Sequence, residues 1–145
     1  MYEKTIKFKL DKKFFNNSLY LDNKYIYDWL NISRTYFLNS LGIDITTLGE
    51  YGFYYADIDT KFSIKKNIKN TNDDIYIKVK LEKHNGIKTV FVYEMYVKQN
   101  LIILASSSHN VLKEDEDRPI RMDRYLPKWD QVLKEIIIKD INDKK

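Results

Sequence analysis

One segment governs what this chain can fold into. From Asp22 or Asn23 to Leu38, the residues Ile26, Trp29, Leu30, Ser33 and Phe37 recur at i, i+3/i+4 spacing, the period of an amphipathic helix. The other sides of that helix are not polar, because Tyr25, Tyr27, Ile32 and Tyr36 are also large. A helix that is apolar on more than one side seeks burial over much of its girth. Asp22 or Asn23 offers the N-cap, and Gly42 is the residue that helix C-termini prefer.

What surrounds this helix reads as strand. Thr5 to Leu10 alternates polar and apolar residues, and Asp11 to Ser18 is a polar loop carrying a Phe pair. Ile43 to Gly49 holds one short helical turn. Phe53 to Ile64 is a long strand, interrupted by Lys65 to Asn72, and Ile75 to Leu81 alternates cleanly. Lys83 to Gly86 is a hairpin turn with Asn-Gly at its centre. Lys88 to Val97 returns, Lys98 to Asn100 turns again, and Leu101 to Leu112 is another strand. Trp129 to Ile138 is a short C-terminal helix with Val132, Leu133, Ile136 and Ile137 on its apolar side. The expected architecture is α+β, with one curved antiparallel sheet wrapped around one long central helix. No repeat or linker divides the 145 residues, so residues 1–145 are expected to form a single domain.

Composition narrows the chemistry mainly by exclusion. The net charge of +4 is well mixed along the chain, whereas nucleic-acid binders concentrate their basic residues, so no nucleic-acid partner is expected. Lys61, Lys65, Lys66 and Lys69 form the one dense basic run, read as a solvated strand end or as a patch steering phosphates. With no cysteine there is no disulfide, thiolate site or Cys nucleophile. Two scattered histidines do not assemble a metal centre, and neither metal nor cofactor is expected. No apolar run approaches the ~20 residues of a membrane span. Met1 to Leu10 lacks the apolar centre of a signal peptide, so the expected compartment is the cytoplasm, with no membrane association. His84 in its turn is expected to face solvent, and Trp29 to sit in the core. His109 and Ser107 lie in an unusual polar break within an apolar strand, either as site residues or as an outward or interface face.

The order of elements, and several segments within it, resemble the hotdog-fold acyl thioesterases of the 4-hydroxybenzoyl-CoA thioesterase and YbgC-like branch. The stretch Asn16-Asn-Ser-Leu-Tyr-Leu-Asp-Asn-Lys-Tyr-Ile-Tyr-Asp-Trp-Leu30 corresponds to that family's lead into its central helix. Arg34-Thr-Tyr-Phe-Leu-Asn-Ser-Leu-Gly-Ile-Asp44 is the most specific match. Ala56 to Asp59 and Asp117 to Arg121 sit where similar pieces are expected, so the resemblance spans roughly Thr5 to Leu133.

The resemblance implies hydrolysis of an acyl-CoA or acyl-carrier-protein thioester at an interface within a homodimer or homotetramer. It also implies that backbone N–H groups at the helix start, near Asp22 and Asn23, polarise the thioester carbonyl. Tyr20 and Tyr25, with Tyr27, crowd that helix start and either line an acyl tunnel or pack. The family's catalytic carboxylate aligns with Asn16, and a second lineage's helix carboxylate aligns with Asn31; both are amides here. Thioesterases that serve enediyne polyketide synthases also carry an Asn at the first position, with an Arg eighteen residues later, the spacing of Asn16 and Arg34. By that resemblance Asn16 and Arg34 hold the acyl carbonyl or carboxylate while water does the hydrolysis without a protein base. The alternatives are a drifted site, or a shifted register that leaves Asp11 or Asp28 in play. A different class of function also fits the two amides: a hotdog module that binds acyl thioesters or a protein partner without turning them over.

Overall fold

The computed structural model describes residues 2–15, 20–69 and 71–143. In chain order the elements are β1 (Glu3–Lys9), a 3₁₀ turn (Lys12–Phe14), α1 (Asn23–Ser40), a 3₁₀ segment (Ile45–Tyr51), β2 (Phe53–Ile64), β3 (Asp74–His84), β4 (Thr89–Val97), β5 (Asn100–Lys113), α2 (Met122–Tyr125) and α3 (Pro127–Asp143). The strands form one antiparallel sheet in the order β1-β3-β4-β5-β2. β1 and β2 therefore lie at opposite edges, and α1, which joins them in sequence, passes across the sheet. The α+β arrangement read from the sequence is the one observed.

Alternation builds the inner face. Ile75, Ile77, Val79 and Leu81 of β3 are buried, as are Phe91, Tyr93, Met95 and Val97 of β4. Period 2 sends one set to the helix and the intervening residues to the other face. α1 answers with Ile26, Trp29, Leu30, Phe37 and Leu38, all buried, and Phe37 meets the Phe91 ring edge-on at 5.5 Å. The helix closes in a Schellman motif: Ile43 N–H donates to Leu38 C=O at 2.9 Å and Gly42 N–H to Asn39 C=O at 3.0 Å, with Gly42 at φ +80°.

Burial over much of the helix girth is not observed. Tyr27, Ile32 and Tyr36 are 46%, 48% and 49% exposed, because a single sheet covers only one side of a cylinder. The C-terminal helix is longer than its apolar pattern suggests, since α3 runs on through polar residues to Asp143.

β2 contains the one register shift that matters to the site. Asp57 pairs with His109 but Asp59 pairs with Ser108, so Ile58 is the extra residue of a β-bulge. Asp57 consequently faces α1, while Asp59 turns to the opposite face and lines the groove there.

The β4–β5 turn holds Lys98 at φ +50° and Gln99 at φ +66°, a left-handed geometry that costs side-chain-bearing residues about 1 kcal/mol or more each. Gln99→Gly is expected to raise the unfolding free energy by about 1 kcal/mol, read from the midpoint of a urea titration at unchanged slope.

Candidate active site

α1 places Arg34 on its buried stripe, 5% exposed. A guanidinium has five donors and no acceptor, so burying it requires oxygen atoms around it. Nη1 donates to Tyr93 Oη at 3.2 Å and Nη2 to Asn31 Oδ1 at 2.5 Å, while Asp57 Oδ1 lies 3.6 Å from Nη2. Arg34 Nε has no partner among the described residues.

From Tyr93 the contacts continue around a ring. Its hydroxyl is 2.6 Å from Ser107 Oγ, which is 2.7 Å from His109 Nε2, and His109 Nδ1 is 2.7 Å from Asp57 Oδ1. That last contact is short, but the ring N–H axis is not aimed at the oxygen, so it is a charge–dipole contact rather than an aligned hydrogen bond. Tyr55 stacks over the imidazole at 5.1 Å and Phe91 meets it obliquely at 5.8 Å.

The protons in this ring have one consistent order. Arg34 only donates and a carboxylate only accepts. A neutral His109 facing Asp57 carries its proton on Nδ1, so Nε2 accepts from Ser107, Ser107 accepts from Tyr93, and Tyr93 accepts from Arg34. Burial first, and the Arg34 charge second, push the His109 pKa down to about 4, against the partial opposing pull of Asp57. Burial likewise raises the Tyr93 and Tyr55 phenols, so both stay protonated. Asp57–His109–Ser107 has the connectivity of a nucleophilic triad, but Ser107 is 1% exposed and its oxygen is already shared with Tyr93. Ser107 and His109 thus belong to a buried inner face, neither outward nor at an open surface.

The helix start is a second, separate locality. Arg34 lies eleven residues beyond Asn23, about 16 Å along the axis. Asp22 is the N-cap of α1, its carboxylate accepting from Lys24 N–H at 3.1 Å. Asp22's own N–H donates to Phe14 C=O at 2.8 Å, and Tyr25 N–H to Asp22 C=O at 3.2 Å. Asn23 opens the helix and is exposed. Tyr25 packs edge-on against Phe14 at 4.8 Å, and Phe14 also meets Trp29 at 5.2 Å, which puts Tyr25 in an aromatic cluster. Tyr20 is 46% exposed and forms a β-bridge with Lys69. Asn16 lies outside the described residues. Asn31 sits beside Arg34, while Asp11 caps the 3₁₀ turn and Asp28 is exposed.

His84 does not face solvent. Its side chain is fully covered, with Nδ1 2.8 Å from Thr89 Oγ1 and Nε2 2.7 Å from Asp130 Oδ1, and Lys134 Nζ holds the other Asp130 oxygen at 2.7 Å. α3 folds over the end of the hairpin and supplies Asp130. A groove of about 1010 Å³ lies on the face of the sheet away from Arg34, among Lys80, Val92, Ser106 and Ser108.

Sequence reasoning found Arg34, Ser107 and His109 but not Asp57 or Tyr93. The polar break in β5 was the available signal for a buried polar ring; the bulge that aims Asp57 inward left none.

Both buried histidines are held neutral in the fold, their pKa values lowered by burial. The unfolded chain therefore binds more protons below its ordinary His pKa near 6.5, and stability falls as pH drops from there until about 4, where His109 titrates in the fold. His109 contributes a loss on the order of 2–3 kcal/mol over that window. Urea titrations from pH 7 to 4 are expected to show the decline, and His109→Phe to flatten it.

No protein-family model matches the chain. Bacillus subtilis YneP, named for acyl-CoA thioesterase activity, is 28% identical over 102 residues, covering 70% of this chain and 73% of that protein. A DHNA-CoA thioesterase from Staphylococcus aureus superposes with a TM-score of 0.89 at 21% identity, over 99% of this chain and 95% of that one. SAV2348 from the same organism, solved in complex with CoA, has a TM-score of 0.80 at 7% identity, over 95% of this chain and 85% of its own. The structural likenesses cover 95% or more of the chain, and the chain therefore has the hotdog fold.

Proposed function

We propose that this protein hydrolyses acyl thioesters of coenzyme A or of an acyl carrier protein. The observation that carries the reading is the near-complete superposition on a DHNA-CoA thioesterase, supported by the sequence likeness to YneP. Water is the nucleophile. Within one chain the Asn23 end of α1, where the helix dipole is positive, lies about 16 Å from Arg34. It therefore faces the thioester carbonyl across the interface, beside Arg34 of a second copy. Asn16 and Arg34 position the acyl group and the water, Arg34 through a guanidinium already oriented by Tyr93 and Asn31.

A homodimer or homotetramer completes the site. β2 is an edge strand with Ile58 and Ile64 exposed, and α1 leaves Tyr27, Ile32 and Tyr36 uncovered. A second copy laid along that edge would cover both and wall a cleft over Asp57. The protein works in the cytoplasm, without a cofactor. Among the described residues no helix is long and apolar enough to cross a membrane.

A second reading has its own observation. Asn31, at the family's helix carboxylate position, is an amide whose oxygen is engaged by Arg34, as in a silent hotdog module that binds acyl thioesters or a protein partner.

Thiol release from short, long and aromatic acyl-CoAs, and from acyl carrier protein, separates the two. The wild type is expected to turn over at least one class, with kcat/KM lowered roughly 10–100-fold in Asn16→Ala and in Arg34→Ala. Thermal melts of each variant establish that it is folded. A wild type silent on every thioester supports the binding module instead.

A further inference from the structure

We infer that Asp57 is the general base of this site, supplying the carboxylate that positions 16 and 31 lack. The inference rests on the hydrolase reading above and names a catalytic residue for it.

Four observations converge. Asp57 is the one carboxylate within ion-pair distance of Arg34 among the described residues. It is 53% exposed although its two neighbours, Arg34 and His109, are buried, so it stands where the buried ring opens to solvent. Both of those contacts fall on Oδ1, and among the described residues Oδ2 has no partner, which leaves one oxygen oriented and one available to water. The bulge at Ile58 aims Asp57 at α1 and turns Asp59 to the opposite face, so the site has a single carboxylate rather than a repelling pair.

The groups facing Asp57 are Arg34 from α1 and His109 from β5, with Tyr55 on its own strand and the Tyr93 phenol behind. His109 and both phenols are neutral, so Arg34 is the one charge set against the carboxylate. The step balances without a further reactant. Oδ2 takes a proton from water as the water oxygen bonds to the thioester carbon. Collapse of the tetrahedral intermediate breaks the C–S bond, and Asp57 returns the proton to the leaving sulfur. The products are a carboxylic acid and a thiol.

The test compares the wild type, Asp57→Asn and Asp57→Glu on the best acyl-CoA of the panel, from pH 5 to 9, with thermal melts of each. Asp57→Asn is expected to lower kcat by 10²–10⁴-fold with KM within about threefold. Asp57→Glu is expected to recover part of the rate. Asp57→Ala, which keeps the exposed edge free of a new contact, is expected to regain turnover when formate is added. A wild type that hydrolyses while folded Asp57→Asn keeps kcat within tenfold would overturn the inference alone. So would absence of formate rescue in a folded Asp57→Ala variant whose Arg34-dependent binding persists. Silence of the wild type on all CoA and carrier-protein thioesters would overturn the hydrolase reading, and this inference with it.

Discussion

A positive charge beneath a sheet is the constraint around which the rest is arranged. Arg34 occupies a position that helix periodicity assigns to the core, and its guanidinium can be desolvated there only if acceptors surround it. That demand runs outward through the fold. It brings a tyrosine between Phe91 and Met95 in the inner row of β4, a serine and a histidine into β5, and a carboxylate to the edge of β2. Removing any one member leaves a neighbour with an unmatched polar group in a dry setting, which is why the ring acts as a unit. The same network fixes the tautomer of His109, and with it the direction in which every hydroxyl points.

The sheet and the central helix were legible in the sequence because their signals are local. Alternation in Ile75 to Leu81 and Lys88 to Val97, the spacing from Ile26 to Phe37, and Gly42 after the helix each report a short-range preference that tertiary packing reinforces. What could not be read depends on residues far apart in the chain. His84 stands next to an Asn-Gly pair and so looks like part of an exposed turn, yet its partner Asp130 arrives from α3, forty-six positions later. The excess of large residues around α1 implies burial over much of its girth, whereas the chain leaves Tyr27, Ile32 and Tyr36 open. Asp57 escaped notice for a different reason: a bulge breaks the two-residue rhythm on which any facing argument rests.

The second buried histidine shows the same physics used for attachment rather than chemistry. His84, Thr89, Asp130 and Lys134 join the end of the β3–β4 hairpin to α3, and Gly86 at φ +91° supplies the left-handed turn between the strands that side chains rarely adopt. Thr89 pairs with His84 on one side and with His109 on the other, so the two neutral histidines flank a single row of the sheet, one held by α3 and one beside the β2 edge.

The bulge at Ile58 gives β2 two parities. Ahead of it the odd-numbered residues Phe53, Tyr55 and Asp57 look toward the helix, and beyond it the even-numbered Thr60 and Phe62 do, opposite Ser107 and Ala105. Were the strand regular through this point, Asp59 would turn inward beside Asp57 and Lys61 would follow it beneath the helix. One additional residue in a twelve-residue strand therefore keeps a charged sequence, Asp-Ile-Asp-Thr-Lys, compatible with an apolar interior. Counting positions, rather than comparing their chemistry, is what separates a lone carboxylate at the edge of a core from a core that could not close.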